Sequence, residues 1–393
     1  MNSRAIKFLA AVSFVISFFV SQLPGQTWQE FAVAPYVNKQ LSPDIDGSIV
    51  VWQEEVEYEG LRDWDILGSD IYDSSGDSLL YIAEYLEDQV TPVISGNLVA
   101  FSSFVQTDYD ILASDISDVE AIDTFSVSSQ IDIDEQNPAI GGNTVVWQDD
   151  RYQYLQTEPD MDVFGADIHN RENIVDFLVT PYGYDQQIGY DQQKPAIWRN
   201  RVVCQTDYFG DSDIMLSDIW LRDNPTESAV FYDAGEQTNP AISGDIVVFQ
   251  DDAAGDSDIF AADISNPDAP QIFQVVYVAG EQVNPDIDGN IVVWQDNYAG
   301  NWDIYGYNLT TGREFIICDD EYSNQMNPAI SGNIVVWEDD RDGLWQIYAM
   351  ILDGPEIADC DVNPDGDLNG DCKVDISDLA IFAANWLRDE LTW

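Results

Sequence analysis

The sequence predicts an all-β protein: a seven-bladed β-propeller closed by its own N-terminal strand, followed by a small C-terminal calcium loop and helix. Three observations carry this. One eleven-residue pattern recurs seven times at a period mostly in the forties, the length of a four-stranded blade. Most copies join two short apolar runs through a Gly-Asn or Gly-Ser turn. The first and last copies are complementary parts of one unit, so the ring can close on itself.

The second residue of the pattern is proline, at positions 43, 92, 138, 195, 240, 285 and 328. Asn327-Pro-Ala-Ile-Ser-Gly-Asn-Ile-Val-Val-Trp337 is typical. Ile-Val-Val-Trp is apolar on both faces, as a sheet packed between two other sheets requires. A polar loop follows, then a third strand opening on Asp65, Asp110, Asp162, Asp213, Asp258 and Asp303, with Gln346 in the seventh copy. Runs such as Ala229 to Tyr232 and Glu314 to Ile317 supply a fourth strand. The seventh copy stops after its third strand, while Phe31 to Ala34 precedes the first copy and matches a fourth. That segment is expected to complete the last blade and cover both open edges.

Repetition itself argues about roles. The Trp, Phe or Cys that ends each second strand is expected in the core between blades. An Asp that recurs in six blades suits turn hydrogen bonding better than catalysis, which needs a residue once. Cys204 and Cys318 fall two blades apart and read as separate buried thiols.

These repeats, with Asp-Ile-Tyr downstream, resemble the TolB-like class of bacterial propeller repeats over residues 27–354. The resemblance implies a propeller of a class that mostly binds proteins or ligands, although some propellers carry polysaccharide lyases. The Gly-His and Trp-Asp punctuation of WD40 repeats is missing.

Arg4 and Lys7 precede an uncharged apolar run from Phe8 to Val20, the layout of a signal peptide over residues 1–25. The protein is therefore expected to be secreted or held at the cell surface, with no membrane span once the signal is removed. Acidic residues outnumber basic ones 73 to 14, a net charge of −59. Such a surface repels nucleic acid and anionic membrane and favours divalent cations, basic proteins and uncharged glycans.

After Gly354 the composition turns Asp-rich. Asp367, Asn369, Asp371, Asp375 and Asp378 place oxygen side chains at positions 1, 3, 5, 9 and 12 of a twelve-residue loop, with the Lys373 carbonyl at position 7. An overlapping register from Asp361 keeps a glycine at position 6 but puts Cys372 at position 12. A helical run from Leu379 to Leu387 follows. Residues 355–393 thus resemble a single dockerin type I repeat, which implies calcium on those ligands and an attachment or sorting role toward a cohesin-like or envelope partner. Cys372 stands where such loops have glycine, and only one repeat is present. Cys360 and Cys372 are expected to form a disulfide across this loop in an exported protein.

The single histidine, His169, leaves histidine-ligated metal chemistry and a Ser-His-Asp triad without their parts. The sequence therefore reads as a non-enzymatic monomer that binds a protein or glycan on the face carrying the loops after the second strands. Tyr152, Tyr154, Tyr182, Tyr184 and Tyr190, in the long third blade, are the candidate contact residues there. The alternative is a carbohydrate-active enzyme, a glycoside hydrolase or polysaccharide lyase, using Asp or Glu on the same face.

Overall fold

The computed structural model describes residues 30–35, 38–58, 60–72, 79–151, 161–180, 190–207 and 210–352. These residues form seven four-stranded antiparallel sheets and no helix. Blade 1 consists of Gln40–Asp46, Ile49–Tyr58, Leu61–Asp70 and Leu79–Ala83. Blades 2 to 7 begin at Gln89, Glu135, Gln192, Gln237, Gln282 and Gln325. Strand order follows the chain within each blade, and the first strands contact one another around the ring, which makes them the innermost.

Blade 7 is completed as expected. Glu30–Ala32 pairs antiparallel with Gln346–Ile351, setting Phe31 opposite Ala349 and Ala32 opposite Tyr348. The strand ends at Ala32, two residues short of the expected Ala34, although the Val33 amide still donates to the Ile347 carbonyl at 2.8 Å.

The core is a set of layers between neighbouring blades. Val50 packs toward Ala329 and Ile347 of blade 7, while Val51 packs toward Ile94 and Phe101 of blade 2. This is why the second strands are apolar on both faces. Trp52, Phe101, Trp147, Cys204, Phe249, Trp294 and Trp337 are all buried. Cys204 and Cys318 are buried free thiols, as the spacing suggested.

Two parts of the repeat act as one device. The residue before each repeat proline adopts a left-handed conformation, with φ between 50° and 53° from Ser42 to Asn327. A register shift at the same place turns its amide toward the preceding blade. There it meets the residue that follows the Trp or its equivalent. Thr91 donates to Gln53 at 2.9 Å, Lys194 to Gln148 at 2.9 Å and Asn327 to Gln295 at 2.8 Å. Ser42 donates to Glu338 at 2.7 Å, so the same staple joins blade 7 to blade 1. Asn-Pro in one blade and Trp-Gln in the previous one are thus the two halves of a lock.

Candidate functional site

The up-and-down order brings all second-to-third-strand loops to one end of the propeller, together with the first residue of every inner strand. At that end the register aligns three polar residues across each blade. In blade 1 these are Gln40, Glu54 and Asp65; in blade 3, Glu135, Asp149 and Asp162; in blade 5, Gln237, Asp251 and Asp258. In blade 6 they are Gln282, Asp296 and Asp303, and in blade 7 Gln325, Asp339 and Gln346. Blades 2 and 4 put Ser103 and Thr206 in the middle place, beside Asp110 and Asp213. Nearly all of these side chains are buried.

This corrects the expected role of the third-strand aspartates. The acid that ends the second strand bonds the turn, and of the third-strand acids Asp303 does so through Asn301. Asp149, Asp251, Asp296 and Asp339 each accept the amide two residues on, at 2.7–3.1 Å. The third-strand aspartates instead lie buried, beside that acid in blades 1, 3, 5 and 6 and beside Ser103 or Thr206 in blades 2 and 4, and desolvation pushes several of them toward neutrality. Asp213 rises to about 7, with the Asp211 charge adding to the burial. Asp110 rises to about 6 by burial and the charge of Asp108, and Asp303 to about 6 by burial and Asp319.

Blades 3 and 7 neutralise their cluster with an arginine. Arg151 bonds Asp149 through Nε and Nη2 and reaches Asp176 at 2.5 Å. Arg341 bonds Asp339 at 2.5 Å and Glu30 at 2.7 Å. Burial still holds Asp149 above the ordinary carboxylate range.

A pH dependence follows. A carboxylate whose folded pKa lies above its unfolded value binds a proton in the native state that the unfolded chain has lost, so stability falls as pH rises between the two. For Asp213 that window runs from the ordinary 3.8 to about 7. The melting temperature is therefore expected to rise as pH is lowered from 7 to 5, and Asp213→Asn should make the slope shallower. A flat profile in the wild-type protein would refute this account.

Blade 1 is built differently. Its central hairpin runs on to Tyr58 and Leu61, past the point where other blades turn. A cavity of about 240 Å³ opens beside it, lined by Glu54, Asp65, Glu84, Asn38, Val56, Leu67, Leu79 and Tyr81. Glu54 accepts hydrogen bonds from Asn38, Gln40 and Trp52 at 2.9, 3.0 and 3.2 Å, which fixes its orientation. Asp65 lies opposite Glu54, and Glu84 follows Ala83, the partner of Ile66. Three carboxylates thus stand side by side across neighbouring strand ends, with the half-exposed Tyr81 ring at the rim.

Of the tyrosines singled out in the sequence, Tyr190 lies within the described residues, half-buried, its carbonyl accepting Gln192 Nε2 at 2.5 Å. Tyr152, Tyr154, Tyr182 and Tyr184 lie outside them, as do Cys360, Cys372 and the loop from Asp367 to Asp378 with Asn369, Asp371, Lys373 and Asp375. His169 is exposed at the opposite end, where its amide donates to Asp167. Among the described residues no group of three or more His, Cys, Asp or Glu side chains is placed to hold a metal ion. No helix among them is long and apolar enough to cross a membrane.

No protein-family model and no curated protein matches the sequence. Solved structures do match in fold. An oligogalacturonate lyase from Vibrio parahaemolyticus is similar with a TM-score of 0.60 at 10% identity, over 86% of this chain and 97% of that one. An acylaminoacyl peptidase from Pyrococcus horikoshii is similar with a TM-score of 0.56 at 13% identity, over 83% of this chain. This chain spans about half the length of that peptidase, 53% of it. TolB from Acinetobacter baumannii reaches a TM-score of 0.44 at 12% identity, over 68% of this chain and 62% of that one. The likenesses to the lyase and the peptidase establish the class of the molecule, a β-propeller.

The expectation of a non-enzymatic binding protein is corrected here. Propellers similar to this one belong to a lyase and a peptidase, so the fold gives no reason to set catalysis aside. The lone histidine was too narrow a criterion, because burial already moves carboxylates of this end into the range useful for proton transfer.

Proposed function

We propose that the protein is a carbohydrate-active enzyme, a glycoside hydrolase working on an uncharged glycan at the acidic end of the propeller. The observation that carries this reading is the blade 1 cavity, where three carboxylates meet an exposed tyrosine in a space the size of one sugar ring. Asp65 and Glu84 act on the glycosidic bond, one as acid and one as base or nucleophile, while Glu54 orients the bound ring and Tyr81 stacks on it. Residues side by side on adjacent strands have Cβ atoms about 4.5–5.5 Å apart, which favours the close carboxyl spacing of retaining enzymes. Hydrolysis is favoured over uronate elimination because a net charge of −59 repels a polyanionic substrate.

Turnover on a panel of neutral polysaccharides tests the proposal. Asp65→Asn and Glu84→Gln should each lower turnover by about 10²–10⁴-fold with little change in melting temperature. Undiminished turnover in both variants, or none in the wild type across the panel, would exclude this assignment.

Export through residues 1–25 and calcium binding by the loop from Asp367 to Asp378 belong to the same proposal. Both are supported by the sequence patterns. Calcium should be taken up by the full chain at millimolar concentration in a way that Asp367→Ala and Asp378→Ala reduce.

A further inference from the structure

The loops after the second strands of blades 3, 5, 6 and 7 share one backbone frame. In blade 5 the Asp252 side chain accepts the Glu236 amide at 2.7 Å, in blade 6 Asn297 accepts Glu281 at 2.8 Å, and in blade 7 Asp340 accepts Asn324 at 2.8 Å. In blade 3 Asp150 accepts Asp134 at 3.2 Å. The next residue therefore occupies one equivalent place in all four blades. It is Arg151, Ala253, Tyr298 or Arg341.

Where it is arginine, the side chain folds back onto the buried acid of the second strand and lies over an aromatic ring of the third. Arg151 sits 3.5 Å above the Phe164 ring and Arg341 4.4 Å above that of Tyr348. Blade 6 has no arginine at that place, but Asn301 donates to Asp303 at 2.8 Å. Blade 5 has neither. It keeps the acid pair Asp251 and Asp258 and the ring of Phe260, yet puts a methyl group at Ala253 and a further acid, Asp256, where blade 6 has Asn301.

Asp258 is 1% exposed, and neither of its carboxylate oxygens has a hydrogen-bond partner. Burial and the charges of Asp256 and Asp251 push its pKa to about 6 against the pull of the Val278 amide, which does not reach hydrogen-bond geometry. Blade 4 meets a similar difficulty with Asp213, but there Thr206 stands opposite and Met215 replaces the ring, so a single proton resolves it. In blade 5 one proton leaves a second buried carboxylate, Asp251, with no arginine in its loop.

We propose that the acidic end of blade 5 is a seat for a guanidinium cation from outside the blade, either an arginine side chain or a free arginine-like molecule. Asp251 takes its charge and Phe260 its face, as Asp149 with Phe164 and Asp339 with Tyr348 do for the built-in arginines, and Asp258 supplies the second carboxylate that Asp176 and Glu30 supply in blades 3 and 7. A hard metal ion fits less well: an aromatic ring supplies no ligand, and calcium needs six to eight oxygens. Ala253, Ala254 and Gly255, in the loop between the two acids, are exposed. This seat is separate from the blade 1 cavity and independent of the glycan reading.

The test uses the full chain and titration calorimetry with two probes, N-acetyl-L-arginine amide and L-arginine, and with calcium as the competing cation. The wild-type protein should bind a probe saturably. Ala253→Arg should abolish that binding by filling the seat from within and should melt at least about 2 °C above Ala253→Gln. Asp258→Asn should lose the binding while keeping the wild-type fold. Binding of both probes identifies an arginine side chain as the natural occupant, and binding of L-arginine alone identifies a free molecule. Absence of saturable binding in the wild type overturns the proposal whatever Ala253→Arg does, and so does Asp258-dependent binding of calcium in place of the probes.

Discussion

Removing every residue before Val37 should destabilise the propeller by about 3–5 kcal/mol, relative to a chain that keeps residues 27–36. Three contributions point the same way. The strand Glu30–Ala32 leaves its ladder on Gln346–Ile351, exposing an edge with apolar Ile347, Ala349 and Met350. Phe31, Val33 and Ala34 leave the layer between blades 7 and 1. Arg341 loses Glu30, one of its two carboxylate partners. An unpaired edge is also a template for another chain, so the truncated protein should self-associate. Thermal melting and sedimentation together decide the matter. Unchanged melting with a monomeric protein would show that the N-terminal strand does not close the ring.

Replacing Arg341 with methionine should cost about 3–5 kcal/mol, because Asp339 then remains in the core without its countercharge. Asp339 is fully buried, accepts the Trp337 indole at 3.2 Å and is held by Arg341 at 2.5 Å. The double variant Asp339→Asn with Arg341→Met should be clearly more stable than Arg341→Met alone, since a neutral amide keeps the indole bond without a stranded charge. Denaturant unfolding of the three variants measures this coupling. A cost below about 1 kcal/mol for the single change would refute this account, and the built-in arginine would no longer serve as the reference for blade 5.

The repeat made much of the fold legible. Proline spacing counted the blades, Gly-Asn turns placed the hairpins, and the incomplete seventh copy identified Phe31 to Ala34 as the missing strand. The end carrying the acidic loops followed from strand order alone. Copies of one pattern must adopt one backbone, so a signal repeated seven times fixes an architecture that one copy would leave open.

The sites were not legible in the same way, because they arise where the copies differ. Asp65, Asp213 and Asp258 occupy one repeat position, yet Asp65 borders a cavity, Asp213 faces a threonine and Asp258 faces another acid. Periodicity predicts what is common to the blades and is silent about a side chain's cross-strand partner. Asp-Asp-Arg in blades 3 and 7 is visible in the sequence, but its fold-back onto a buried acid depends on the loop frame and on the ring beneath it. The sequence by itself thus determined the seven blades, their closure and the end that gathers the acidic loops. Only the tertiary structure decided which acids are buried, paired or left without a cation, because burial and cross-strand distance set a carboxylate's charge, and neither is a property of its place along the chain.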